Sequence, residues 1–186
     1  IESKENTLTV KGEKQVKESY THPDFAPRAV ILDPAITLDT PARLWSSTGM
    51  KAIDHAVEQL CNLERSPMGD AVAAEGLRLL AKGLRATHDD PADLEARAAC
   101  QHGMWLAISG AATGRGMGAS HAIGHTLGGS YGVPHGITSC ITLHATLEWN
   151  RDYSVDRQTL VSRLMGSRGL PAAVGVRDLV KTLVLL

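Results

Sequence analysis

The hydrophobic period changes near residue 40, and that change restricts the chain to few folds. Before it, polar and apolar residues alternate in short runs, Thr7-Leu8-Thr9-Val10 and Gln15-Val16-Lys17-Glu18-Ser19-Tyr20, around Lys11-Gly12-Glu13-Lys14. A period of two predicts strands, and the polar link predicts a hairpin turn. Such a hairpin is too charged on both faces to build a core, so its place is the edge of a larger sheet. Ala29-Val30-Ile31-Leu32, stopped by Asp33-Pro34, reads as a further short, buried strand that needs neighbours. An exposed edge near residues 7–20 favours pairing with another chain, and a homo-oligomer is expected.

From Thr40 onward the period is helical. Thr40 as cap and Pro41 at the first position open a helix to about Asn62, with a break near Ser47-Thr48-Gly49. Ser66-Pro67 opens a second, from Asp70 to about Leu84, whose apolar face is Val72, Leu77, Leu79 and Leu80. Asp89-Asp90-Pro91 opens a third, from Asp93 to about Ala112, with Met104 and Trp105 in the core. A helix through His121, one from Pro134 to Asn150, and two weaker ones over 156–165 and 176–185 complete the chain. The expected fold is mainly α: a β-rich segment over 1–40, then an all-helical domain over 41–186.

Composition removes several function classes. A formal net charge of −1 with no Lys/Arg run argues against a nucleic-acid or anionic-membrane surface. No apolar run reaches the roughly 18 residues of a membrane helix, and the polar start is no signal peptide. Cys61, Cys100 and Cys140 are odd in number, widely spaced and set in apolar helical sequence, so they read as reduced core residues. A cytoplasmic protein is the expectation.

Chemistry concentrates in one stretch. Three of the eight histidines, His121, His125 and His135, lie within Ser120 to Gly136. On a helix His121 and His125 project from one face, about one turn apart. Gly128-Gly129 would end that helix, and Pro134 would start the next with His135 at its head. A helix, a tight loop and a new helix could bring His135 back toward His121, a geometry suited to metal binding. His22, His88, His102 and His144 stand singly and read as structural. Gly114-Arg115-Gly116-Met117-Gly118-Ala119 fits a loose dinucleotide pattern, but a helix precedes it and no acidic residue follows about twenty positions on. It reads instead as a flexible connection passing close to the His121 helix. Asp54 and Glu58 read as helix surface or ion-pair partners.

The stretch from His121 to Gly136, then the apolar Ile137 to Asn150, resembles the signature of the iron-containing alcohol dehydrogenase family, which includes the maleylacetate reductases. Ala29 to Pro34 with Thr37-Leu38, and Ser47 to Glu58, match as well, in the same order and at agreeing separations. The resemblance covers roughly residues 28–150. It implies a helical C-terminal domain of the dehydroquinate-synthase-like kind, preceded by strands left from an α/β cofactor domain. The family's Gly-Gly-Gly-Ser cofactor loop has no counterpart in these 186 residues. The resemblance also implies NAD(P), a small-molecule substrate, and a divalent metal, iron or zinc, held by His55, His121 and His135. It places His125 near the nicotinamide, where it moves protons.

One position departs from the family pattern. The fourth metal ligand, an Asp four residues before the first histidine, is Lys51 here. An ammonium removes an anionic ligand and opposes a cation in the same shell. Three neutral histidines with an open position still make a reasonable zinc site. Without metal, Lys51 could supply positive charge where an alkoxide develops as hydride arrives. The leading expectation is an oxidoreductase, or a fragment of one, moving a hydride between NAD(P)H and a carbonyl or a maleylacetate-like substrate. The alternative is a non-catalytic helical module that keeps the fold and a residual histidine cluster. A metal-dependent hydrolase is disfavoured because no carboxylate is placed with the histidines as a general base.

Overall fold

The structure is a computed structural model, and it describes residues 4–11, 14–22, 27–64, 66–111, 116–167 and 169–184. Two strands, β1 (Lys4–Lys11) and β2 (Lys14–Thr21), pair antiparallel from Lys4 opposite Thr21 to Lys11 opposite Lys14. The hairpin is as the alternation predicts, although its turn, residues 12–13, lies outside the described residues. Among those residues it is a two-stranded sheet and not the edge of a wider one. The strand expected at Ala29 to Leu32 does not form, and Ile31 is 88% exposed. A fully buried strand needs hydrogen-bonding neighbours on both sides, and no described strand reaches this run.

Seven α-helices follow among the described residues: α1 (Ala42–Cys61), α2 (Pro67–Asp89), α3 (Leu94–Ala111), α4 (Ala119–Tyr131), α5 (His135–Trp149), α6 (Val155–Leu164) and α7 (Ala172–Val184). Helix α1 lies at the centre and packs on α2, α3, α5 and α7. One face of it carries Met50, Ile53, Val57 and Leu60, all fully buried, against Leu77, Leu80, Leu143, Val176 and Leu179. No described helix is long and apolar enough to cross a membrane.

Several boundaries differ from the sequence reading for local reasons. Helix α1 is capped by Pro41 rather than Thr40, whose own N–H bonds Thr37 O at 3.0 Å. It runs unbroken through Ser47-Thr48-Gly49. The Thr48 hydroxyl donates back to Leu44 O at 2.7 Å, so the polar side chains are satisfied within the helix. Helix α2 starts where Ser66 accepts from Gly69 N and continues a turn beyond the expected end. Its most buried residues are Ala73, Gly76, Leu77, Leu80 and Leu84, with Val72 and Leu79 at the margin. Small residues line its contact with α3: a Cβ on Gly76 would stand 2.9 Å from Ala107 N. Because α3 turns this small-residue face inward, Met104 falls on the other side and is 40% exposed, while Trp105 is half-buried.

Helix α4 passes through Gly128-Gly129 and stops at Gly132. Gly132 has φ of +66°, the left-handed conformation that ends helices, and its N–H reaches back to Leu127 O. The stop therefore belongs to the glycine that takes that conformation, not to the first pair in sequence. Helix α5 begins directly after Pro134, as expected.

Candidate active site

Two close approaches bring three helices to one point. A Cβ on Gly136, in the first turn of α5, would stand 2.8 Å from the Ser47 carbonyl carbon of α1. One on Gly124 in α4 would stand 2.9 Å from Thr138 Oγ1 in α5. The missing side chains let α5 lie against both neighbours, and the histidines follow. His55 and His121 stack with ring centroids 4.7 Å apart and planes 27° from parallel. His121 and His125 are 6.4 Å apart, and His125 and His135 5.8 Å. The four histidines singled out from sequence thus form a continuous run of rings drawn from α1, α4 and α5. His22, His88 and His102 are exposed, and His144 is half-buried.

The α1 side of the site is a polar stripe in a buried helix: Lys51, Asp54, His55 and Glu58, at i, i+3, i+4 and i+7. Those spacings share one helical face, so residues adjacent in sequence belong to one surface about 100° wide. Lys51 and Asp54 are buried, with Nζ 3.5 Å from Oδ2. Asp54 Oδ2 also accepts from Ser139 Oγ at 2.5 Å and Ser120 Oγ at 3.1 Å, and lies 3.4 Å from His121 Nδ1. Burial raises the Asp54 carboxyl above its ordinary range, with His121 and Lys51 pulling the other way. Its Oδ1 is buried without a hydrogen-bond partner among the described residues.

Glu58 is the second carboxylate. Its oxygens accept from Gly118 N at 2.9 Å and Ser120 N at 2.7 Å, and Oε2 lies 2.7 Å from His121 Nδ1. It therefore holds the N-terminus of α4, where unpaired N–H groups and the helix dipole favour an anion. The glycine-rich link, expected to pass close to the His121 helix, makes its close approach to α1 instead: a Cβ on Gly118 would stand 2.7 Å from Glu58 Oε1. Residues 112–115 of that link lie outside the described residues. Burial, then the neighbouring His121, Lys51 and His135, pushes His55 down to about 3, so its imidazole is neutral at ordinary pH.

Sequence reasoning missed Asp54 and Glu58 as site residues, together with Ser120 and Ser139. The signal was present as the i, i+3, i+4, i+7 polar stripe, but it requires knowing that residues 50–60 of α1 are enclosed by the neighbouring helices. Among the described residues, the donors lying within 4.8 Å of one another are Asp54, Glu58 and His121, rather than His55, His121 and His135. Glu58 already accepts from two backbone N–H groups and lies against His121 Nδ1, and an ammonium stands beside Asp54. Asp54 Oδ2, both Glu58 oxygens and His121 Nδ1 are thus engaged, whereas Asp54 Oδ1 and His121 Nε2 are buried with no hydrogen-bond partner among the described residues. A cavity of about 790 Å³ lies behind Glu58, lined by Val57, Met117, Leu143 and Leu147 and by none of the four histidines. Cys100 and Cys140 are buried and Cys61 partly so; burial pushes the Cys100 thiol up to about 12 and Cys140 to about 11.

Comparison with known proteins points one way. A model described as "Fe-containing alcohol dehydrogenase family, C-terminal" matches residues 46–186. A maleylacetate reductase of Burkholderia cepacia is 39% identical over 98 residues, 52% of this chain and 28% of that protein. The crystal structure of maleylacetate reductase from Agrobacterium tumefaciens superposes with a TM-score of 0.84 at 30% identity, over 97% of this chain and 49% of that one. Sulfoacetaldehyde reductase from Bifidobacterium kashiwanohense, solved in complex with NAD+, gives a TM-score of 0.78 at 26% identity, over 91% of this chain and 45% of that one. The chain spans about half the length of these solved relatives.

Proposed function

The chain belongs to the Fe-containing alcohol dehydrogenase family, and from that premise we propose that it forms the helical, substrate-side part of an NAD(P)-dependent oxidoreductase. The reaction is reversible hydride transfer between NAD(P)H and a carbonyl or a maleylacetate-like double bond conjugated to one. The observation that carries this reading is the run of His55, His121, His125 and His135 rings beside the buried Lys51. A small-molecule substrate, a cytoplasmic setting and a homo-oligomer go with it.

The donor types on the histidine side suit a divalent metal, although the ring nitrogens of His55, His121 and His135 do not all lie within 4.8 Å of one another as they stand. His55 is neutral, and His121 Nε2 is a buried atom without a hydrogen-bond partner among the described residues. His55, His121 and His135 would hold iron or zinc, which when bound polarises the substrate oxygen. Where no metal is bound, Lys51 takes that part instead, setting a positive charge near the oxygen, where it stabilises negative charge as hydride reaches the carbon. Asp54 keeps the ammonium in place through their contact. His125, next in the run of rings, supplies the proton that the developing oxyanion takes up. Hydride and proton together complete the two-electron reduction.

Fluorescence titration of the chain with NADH and NADPH, with and without Zn2+ or Fe2+, tests the reading. Saturable binding, followed by turnover of maleylacetate that falls on the order of 10²-fold in Lys51→Ala, is the expected result. No binding and no turnover with either cofactor would favour a helical module without catalysis, which Lys51 at the family's ligand position also favours.

A further inference from the structure

We propose that Glu58 is a positioning residue that fixes His121 as its Nδ1–H tautomer and turns the Nε2 lone pair into the site. The inference deepens the oxidoreductase reading and rests on it only for what Nε2 would bind. Its first support is the count of donors around one carboxylate. Gly118 N–H and Ser120 N–H both point at Glu58, at 2.9 and 2.7 Å, from the start of a 13-residue helix. Backbone N–H groups only donate, so Glu58 is held as an acceptor on both oxygens. With Glu58 the carboxylate that two N–H groups at a helix N-terminus favour, His121 Nδ1 at 2.7 Å from Oε2 carries the hydrogen. Asp54 Oδ2, 3.4 Å from the same nitrogen, adds a second negative charge on that side.

The second support is what holds the ring. The Glu58 and His121 side chains are each 8% exposed, and His55 covers a face of the His121 ring at 4.7 Å. A ring flip would break the 2.7 Å bond and place carbon against the carboxylate. Nε2 is left buried with no partner among the described residues, an arrangement that calls for an explanation in a packed interior. An acceptor kept free for a ligand is such an explanation. A carboxylate bonded to the far nitrogen of a ligating histidine also raises its basicity and fixes its plane.

The test needs neither metal nor cofactor. Long-range ¹H–¹⁵N correlation on the complete, histidine-labelled chain at neutral pH reads the tautomer directly. The expected result is a protonated Nδ1 and an unprotonated Nε2 on His121. A proton on Nε2 instead would overturn the proposal. In Glu58→Met, an apolar side chain of like length, the Nε2–H form is expected to become comparably populated, and Zn2+ affinity to fall by about 10–100-fold. Circular dichroism checks that helix content is kept. An unchanged tautomer in a folded Glu58→Met also counts against Glu58, and if that variant does not fold, the parent chain decides alone. A chain with the Nδ1–H tautomer that binds neither Zn2+ nor NAD(P)H supports this inference while sinking the oxidoreductase reading.

Discussion

Lys51 Nζ stands 3.5 Å from Asp54 Oδ2, one turn apart in α1, with side chains 7% and 0% exposed. The position that the family resemblance assigns to a metal ligand thus carries a lysine whose counter-ion comes from the same helix face. The pair balances charge where neither member could be tolerated alone.

Removing one partner should therefore cost more than removing both. Lys51→Met is expected to destabilise the chain by about 3 kcal/mol, because Asp54 is left as an uncompensated buried acid. The double variant Lys51→Met, Asp54→Asn should recover part of that loss. A double-mutant cycle by urea denaturation measures the coupling, and additive losses would show that the two groups do not interact.

Stability should depend on pH through His55. Its folded value is pushed down to about 3 from 6.5, so between these the unfolded chain binds a proton that the folded one refuses. Stability falls as pH drops through that window, by about 1.4 kcal/mol per pH unit from this group. Asp54 acts in the opposite sense. Its raised carboxyl takes a proton more readily when folded, so from its raised value down to 3.8 its contribution improves as pH falls. Urea midpoints at pH 6.5 and 5, compared between the parent and His55→Gln, isolate the histidine term. Equal slopes in the two proteins would refute it.

The contact between α5 and α1 should tolerate no side chain at Gly136. A Cβ there meets the Ser47 backbone at 2.8 to 2.9 Å, and backbone cannot rotate away as a side chain can. Gly136→Ala is expected to cost about 1–3 kcal/mol and to shift His135 from the other rings. Denaturation measures the first effect and histidine NMR shifts the second.

Arg97 should tether the segment that leads into α1. Only 3% exposed, it donates to Pro91 O, Thr37 O and Thr37 Oγ1, and its guanidinium lies 4.6 Å from the Trp45 ring centre. Arg97→Lys loses the planar fork and the stacking, so it is expected to cost nearly as much as Arg97→Ala, about 2–3 kcal/mol. Hydrogen exchange over residues 33–40 should quicken in both. Unchanged exchange there would show that the segment is held by something else.

The helices were legible because their signals are local. Ser66-Pro67 opens α2, Pro134 precedes α5, and both act through groups a few residues away. The lost strand at Ala29 to Leu32 was not legible, since a strand depends on partners distant in sequence. Glu58 failed for a similar reason. Its role as anchor of α4 depends on backbone N–H groups some sixty residues on, and nothing near it in sequence distinguishes it from a surface glutamate.

The sequence by itself determined the succession of helices and the identity of four histidines, because periodicity, caps and motif spacing are written in neighbouring residues. Tertiary structure decided which groups surround them. Enclosing residues 50–60 of α1 turned Asp54 and Glu58 from a helix surface into part of a dry polar stripe with Lys51. Removal from water makes each charge seek a partner, and only the packed helices determine which partners are within reach.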